Sequence, residues 1–460
     1  MTRAPQRVAV VGGGIAGLAA AHALLHPGDG GPAAEVAVFD REPVMGGKLR
    51  ATPFAGHPAI DEGPDAFLAR LPWATALATA VGLGEQLVAP ESGRAAVWWN
   101  QLHPIPEGLL LGMPTDVLAL ARSRLLSWPG KFRAATEPVR RRTSLEPDSL
   151  GGFVRARFGD EVQVRLVDPL VGSIYAADTD HFSLAAVPQI ADLAGKGRSV
   201  LVTGRHLPKP AASAGPVFYA PRDGMGAFAG TTAAAVAAAG GTLHINHAVQ
   251  TIEADGVGWN VDGEHFDAVV LASPAAATSH LLRELAPSQA AMLATIPAAD
   301  VAMVTLAIPA PDWPPRLHGM SGYLVPKPMQ RLVTATSFGS QKWAHWAVDG
   351  AVVLRISLGR DGLPVLHLTD EQLLQAAIDE VGQHLGLSLQ PAHSRVSRWA
   401  GAFPQYRPHH ARRVAEIEAG LPAGLVLAGA SYHGIGVPAC IRSAQNAAAA
   451  LHALARSVAE

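Results

Sequence analysis

Two rhythms of apolar and polar positions divide this chain, and the points where the rhythm changes mark its parts. Val8-Ala9-Val10-Val11 is an unbroken, β-branched apolar run and reads as a buried strand. Gly12, Gly14 and Gly17 follow, and an Ala/Leu-rich helical pattern continues to Leu25. A loop over 26–34 leads to a second strand, Val36-Ala37-Val38-Phe39, ending at Asp40. From about 72 to 200 the pattern is mostly helical. Over 115–128, Val117, Leu118, Leu120, Ala121, Leu125 and Leu126 share one side, and Pro129-Gly130 is expected to stop that helix. From about 215 the β–α rhythm returns, with Gly224-Met225-Gly226 before an alanine-rich helix. Short strands are expected at 242–246 and 248–252, then a buried strand at 268–272. Strand-like runs at 301–307 and 351–358, between loops holding Trp and Pro, predict an antiparallel sheet. Residues 369–385 read as a helix, 425–429 as a strand and about 440–455 as a final helix.

This order predicts an α/β protein with a discontinuous Rossmann-type domain. Residues 1–72, 215–275 and 420–460 form the nucleotide-binding part. Residues 73–110 and 276–419 form an antiparallel-sheet substrate domain, and 111–214 form a helical lid or membrane-type domain. Gly12 permits a tight turn, Gly14 lets a pyrophosphate reach the backbone, and Gly17 lets helix and strand pack closely. Ile15 and Ala16 open the helix whose free N–H groups face the phosphates. Asp40 stands where an acid binds ribose hydroxyls. A nucleotide domain interrupted twice suits a protein that wraps a long, extended FAD better than a simple NAD dehydrogenase.

Composition removes several classes. With 49% hydrophobic residues and a formal charge of −2, the chain is neither disordered nor strongly nucleic-acid-binding. A lone cysteine, Cys440, excludes an intrachain disulfide and a thiolate cluster and fits a cytoplasmic setting. It reads as a small buried hydrophobe. His409-His410 are adjacent and lack a third ligand, so no metal is expected. No apolar run is long enough to span a bilayer. No GxSxG, HExxH or CxxC is present, and no catalytic base can be named.

Further motifs follow in order: Gly46-Gly47-Lys48-Leu49 after Asp40-Arg41, Asp61-Glu62-Gly63-Pro64-Asp65-Ala66-Phe67, and Gly172-Ser173-Ile174-Tyr175-Ala176-Ala177-Asp178. Then come Lys342-Trp343, 353–360, Trp399 to Tyr406 with His410, and 427–441. Together they resemble the FAD-dependent amine oxidase superfamily. Within it they are most similar to the protoporphyrinogen/coproporphyrinogen oxidases of haem synthesis, particularly the soluble coproporphyrinogen III oxidases of Gram-positive bacteria. Ala177 and Ala400 stand where that family often has Gly and Pro.

The resemblance implies a GR2-like fold with non-covalent FAD. The implied reaction is a six-electron, oxygen-dependent oxidation of coproporphyrinogen III to coproporphyrin III. Hydride would pass to flavin N5, and O₂ would reoxidise the flavin to give hydrogen peroxide. It places Gly12, Gly14, Ile15, Ala16, Gly17, Asp40, Arg41, Gly47, Lys48, Gly63, Pro64, Asp65, Val249, Trp399, Gly434, Gly436 and Val437 around the cofactor. Arg70, Tyr175 and Arg355 are the expected contacts to the tetrapyrrole. The helix at 115–128 and Arg140-Arg141-Arg142 occupy a region the family uses for membrane contact. Here they read as a lid, a weak membrane-surface contact, or a docking face for a downstream enzyme such as a ferrochelatase. Protoporphyrinogen IX oxidation, another flavin amine oxidase or desaturase, and a non-catalytic flavin- or porphyrin-binding protein are the alternatives.

Overall fold

In the computed structural model, residues 5–28, 32–91, 93–206 and 215–457 are described; the middle of the 26–34 loop, at 29–31, lies outside them. The first apolar run becomes the strand Arg7–Val11, at the centre of a five-stranded sheet. Glu35–Phe39 and Ala268–Leu271 flank it, and Thr242–His244 and Leu425–Leu427 form the edges, all neighbours parallel. The helices Ile15–Leu25, Met225–Ala238 and Val437–Ser457 cover one face. A three-stranded sheet including Gly258–Val261 and the helices Pro287–Ala294 and His410–Ala419 pack on the other. A parallel sheet covered on both sides must be apolar at every position, which is why its strands read as continuous hydrophobic runs.

The second sheet has seven strands in the order His393–Pro404, Ala298–Pro309, Ala351–Leu358, Val333–Phe338, Gly322–Leu324, Ala95–Trp98 and Leu102–Pro104. It is antiparallel except where Gly322–Leu324 meets Ala95–Trp98. One face lies on the helix Asp370–Leu385, whose start is fixed by a reciprocal Thr369/Gln372 capping box. The other face looks toward the parallel sheet and carries the polar residues described below.

Several expectations are corrected. The stretch after residue 72 is not mostly helical: Ala95–Trp98 and Leu102–Pro104 complete the seven-stranded sheet. The helix expected over 115–128 is shorter, Val117–Arg122, and a second, Trp128–Ala135, begins where the first was expected to stop. Pro129-Gly130 opens the second rather than stopping the first. Ser127 accepts the Gly130 N–H as N-cap, and Pro129 sits in the first turn, where no N–H is needed. Residues 248–251 are not a strand. The Asp262 carboxylate takes the N–H groups of Gln250 and Thr251 and replaces a ladder, and the strand begins at Ile252. The final helix starts at Val437, earlier than expected.

Candidate functional site: a glycine-built nucleotide cradle beside a buried charged seam

The first helix begins at Gly14 with no side-chain cap, so its first N–H groups are free for an anion. A Cβ at Gly14 would meet nothing within 4 Å, whereas one at Gly17 would lie 1.8 Å from the Gly12 carbonyl oxygen. Gly14 therefore faces open space and Gly17 a neighbouring backbone, as a cradle for a pyrophosphate requires. Gly12 turns at φ +113°. Asp40 Oδ2 accepts the Gly13 N–H at 2.6 Å, and Oδ1 accepts that of Glu42 at 2.8 Å. Its carboxylate thus holds the turn together at the place expected to face a ribose. Arg41 is exposed and pairs with Glu42.

The second glycine turn leans on the first. Gly46 donates to Gly13 O, and a Cβ at Gly47 would lie 3.2 Å from Gly14 Cα. Lys48 follows, and burial lowers its pKa. Its carbonyl packs on Gly63, where a Cβ would lie 2.2 Å from it. Trp399 Nε1 donates to the Glu62 carbonyl at 3.1 Å, and the Arg50 guanidinium lies 4.7 Å from the Trp399 ring centre. Glu62 accepts from Arg50, Thr52 and Ser397. Burial opposes its ionisation, yet these bonds hold its pKa below the usual value. On the far side, Cys440 is buried and points its thiol at the carbonyls of Gly434 and Ile435, each 3.6 Å away. Burial raises that thiol to about 11, with Lys48 pulling the other way, so it is an inert packing group. Val437 is buried at the start of the last helix, while Gly436 is exposed. Val249 packs on the apolar layer beneath the parallel sheet.

Beside this cradle runs a seam of buried charge. Arg395, Thr305, Arg355 and Ser337 stand opposite one another on four adjacent strands and so form one row on one face. Arg395 donates to Thr52 Oγ1 and the Ile60 carbonyl. Asp65, with a side chain 13% exposed, accepts from Lys342 Nζ at 2.9 Å and Trp343 Nε1 at 3.1 Å, with Arg355 at 3.9 Å. Burial disfavours its ionisation, but Lys342 and Arg355 more than offset this and hold its pKa well below the usual range. Asp61 is its opposite: burial drives its pKa up to about 7 despite Arg355, and Asp65 adds repulsion. Its Oδ1 accepts the Met225 N–H, while Oδ2 is buried with no hydrogen-bond partner. His345 is held near 4, chiefly by burial.

The three expected substrate contacts lie on different elements of the fold. Arg355 belongs to the seam, and Arg70 is exposed on an open groove lined by Pro72, Thr75, Thr79 and Tyr219. Tyr175 lies against Phe182, ring centres 4.9 Å apart. No hydrogen bond or ion pair joins these three among the described residues. The helical part is instead fastened to the sheet by ion pairs. Arg360 grips Asp168 at 2.9 and 3.0 Å and the Ala177 carbonyl, and Lys327 grips Asp178. The left-handed residue here is Ala176, at φ +46°, so Ala177 needs no glycine freedom. His409 and His410 diverge: His409 faces Glu146, and His410 is buried on Tyr406. Among the described residues, no three His, Cys, Asp or Glu side chains are grouped to hold a metal.

Sequence reasoning missed Arg50, Thr52 and Arg395, and gave no role to Glu62 or Tyr406, although both stand in motifs named above. Arg395 carried a signal: an arginine inside a strand, two positions before Ser397 and four before Trp399 on the same face.

Fold and cradle together define a dinucleotide-binding α/β oxidoreductase with a second, antiparallel sheet. The profile of the flavin containing amine oxidoreductases matches residues 15–452, and the chain belongs to that family. It is 33% identical over 453 residues to the coproporphyrinogen III oxidase of Mycobacterium tuberculosis (strain ATCC 25618 / H37Rv), covering 96% of each chain. It is 33% identical over 487 residues to the Propionibacterium freudenreichii coproporphyrinogen III oxidase, covering 95% of this chain and 89% of the other. A crystal structure of an Exiguobacterium sp. 255-15 protein, named for protoporphyrinogen oxidation, superposes with a TM-score of 0.85 at 28% identity, over 98% of this chain and 99% of that one. A dinucleotide cradle in a flavin family makes FAD the cofactor.

Proposed function

We propose that the chain oxidises coproporphyrinogen III to coproporphyrin III, with O₂ as the final electron acceptor. The observation that carries this reading is end-to-end similarity, at about one-third identity, to coproporphyrinogen III oxidases. FAD, when bound, supplies the two-electron acceptor. The protein's own work is positional. Gly12, Gly14, Ile15, Ala16 and Gly17 take the pyrophosphate, and Asp40 shapes that turn while facing the ribose. Gly47, Lys48, Gly63, Pro64 and Trp399 line the path of the ring system on one side, with Gly434, Gly436 and Val437 on the other. Asp65 is held by Lys342 and Arg355 in the buried seam beside the loop that carries Gly63, and its part is in stability. The cofactor is held without a covalent bond, consistent with the buried, protonated thiol of Cys440. The proposed three-part division is 1–72/215–275/420–460, 73–110/276–419 and 111–214; the two sheets and the helical insertion support its outline, while Pro287–Ala294 and His410–Ala419 pack on the parallel sheet.

Trp128, Phe132 and Val139 are 79%, 74% and 75% exposed. Between 122 and 142 stand Arg122, Arg124, Lys131, Arg133 and Arg140 to Arg142 against one acid, Glu137, which is buried on Arg157. This face is a docking surface for an acidic partner, either anionic lipid or the enzyme that collects the product, such as a ferrochelatase. Among the described residues, no helix is long and apolar enough to cross a membrane. A cytoplasmic location is consistent with the single cysteine.

The test is aerobic incubation of the purified, FAD-loaded protein with coproporphyrinogen III and with protoporphyrinogen IX, following porphyrin fluorescence. Faster initial oxidation of the first is expected. A faster rate with protoporphyrinogen IX would reassign the substrate. Neither rate exceeding the autoxidation blank would end the proposal.

A further inference from the structure

Tyr406 is 4% exposed, and its hydroxyl makes two bonds to one short loop. It donates to the Ala430 carbonyl at 2.6 Å and accepts the Gly434 N–H at 2.7 Å. These groups lie within the connection 428–436 between the strand Leu425–Leu427 and the helix Val437–Ser457. The same turn is held from beside the hydroxyl. His410 stacks on the Tyr406 ring, centres 3.8 Å apart and 8° from coplanar, and its Nε2 lies 3.2 Å from the Tyr432 carbonyl. Burial keeps His410 neutral, with a pKa near 4, and a carbonyl partner requires the proton on Nε2. Phe182 lies parallel to Tyr406 on the helical side, centres 6.1 Å apart, and the Tyr406 carbonyl accepts the Ser183 N–H at 2.7 Å. The ring is therefore fixed before its hydroxyl meets the turn. Gly434 needs such fixing: it sits at φ +121°, and a Cβ there would lie 2.6 Å from Ala439 Cβ.

We propose that Tyr406 is a positioning residue for the cofactor, its hydroxyl setting the shape in which Ala430 to Gly434 meets the flavin. This rests on the reading above that Gly434 borders the ring system. The chemistry is that of a clamp. One oxygen joins a carbonyl and an N–H four residues apart, and a phenyl ring removes that shared partner in a half-buried place. Tyr406 touches neither substrate nor the reacting atoms by this account. Its effect reaches them through the backbone of the turn.

The experiment compares Tyr406→Phe and Gly434→Ala with the wild-type holoenzyme. The readouts are the visible flavin spectrum, the flavin midpoint potential and the FAD dissociation constant after reconstitution of the apoprotein. Tyr406→Phe keeps the ring and both stacks. It is expected to weaken FAD binding about tenfold and to shift the flavin spectrum and potential. His410→Gln retains a donor for Tyr432 and removes one stacking face, so it is expected to shift them in the same direction by less. This second variant keeps the test open if Tyr406→Phe does not fold. A lower melting temperature with spectrum, potential and FAD affinity unchanged in the variants that fold would make Tyr406 merely structural and overturn the proposal. If Gly434→Ala changes the flavin signals and the Tyr406 and His410 variants do not, the clamp fails while the cofactor reading stands. If Gly434→Ala is silent too, the turn does not border the flavin, and both fall.

Discussion

The parallel and antiparallel sheets meet the same internal space with different chemistry. In the parallel sheet Val8, Val10, Val269, Val270 and Leu271 are fully buried and apolar, and what the sheet offers a ligand is backbone: the turn at Gly12–Gly14 and the uncapped helix after it. The antiparallel sheet offers side chains, a row of Arg395, Thr305, Arg355 and Ser337, in which Arg395 bonds Thr52 and the Ile60 carbonyl and Arg355 faces Asp65. Glycine and backbone can present donors to phosphates without burying a charge. A charged row must be neutralised pair by pair, and each pair then depends on its partner. The two halves should therefore fail differently: the charged seam through stability, the glycine cradle through the cofactor.

The largest effect is expected at the seam. Asp65→Ala leaves Lys342, Arg355 and the Trp343 N–H without their shared acceptor. Removing one member of a buried ion pair costs about 3–5 kcal/mol, measurable by guanidinium denaturation of the apoprotein. A loss below about 1 kcal/mol would mean that water reaches these groups, and the contrast between the halves would shrink.

Asp61 tests the same seam by pH. Its folded pKa, about 7, lies above the ordinary carboxylate value. Its contribution to stability is thus fully present below about pH 4 and lost as pH rises through 7. About three units correspond to roughly 4 kcal/mol at most. Asp61→Asn cannot ionise, so its stability should fall less between pH 4 and 8 than that of the wild type. Parallel curves for the two proteins would show that Asp61 titrates normally.

The cradle comes next. Gly17→Ala drives a methyl against the Gly12 carbonyl. Overpacking of this kind costs about 1–3 kcal/mol, less than the loss of Asp65, but it displaces the turn that carries the pyrophosphate. FAD should dialyse away from this variant while Asp65→Ala, where folded, retains it. Retention of FAD by Gly17→Ala would break the proposed division of labour.

The cradle was legible because its signal is local. Strand, turn and helix occupy residues 7–25, and each glycine's task follows from its neighbours in sequence. The seam was visible only as separate fragments. Asp65, Lys342, Trp343 and Arg355 each belong to a recognisable motif, yet nothing in the spacing of 65, 342 and 355 says that they touch. Arg355 read as a contact for a carboxylate ligand, and its place beside Asp65, 3.9 Å away, could not be read from the sequence. Arg395 and Tyr406 depend on strand register and on a turn 24 to 28 residues away, which only the folded chain supplies. Local caps were misjudged for a related reason. Ser127, Pro129 and Gly130 contain both stop and start signals, and the hydroxyl of Ser127 decided for a start.

The smallest effect sharpens the comparison from the cradle's side. Arg41 follows the ribose-facing acid and carries a charge suited to phosphate, so sequence placed it among the cofactor contacts. Its side chain is 77% exposed and its guanidinium pairs with Glu42. Exposed neighbouring ions contribute little, and the turn already supplies N–H donors for the anion. Arg41→Ala should leave stability within about 0.5 kcal/mol and FAD affinity within about twofold. A tenfold weaker affinity, lost progressively as salt is added, would show that the cradle also relies on a mobile charge. The two sheets would then differ in where they keep their cations, buried in one and exposed in the other, and not in whether they need them.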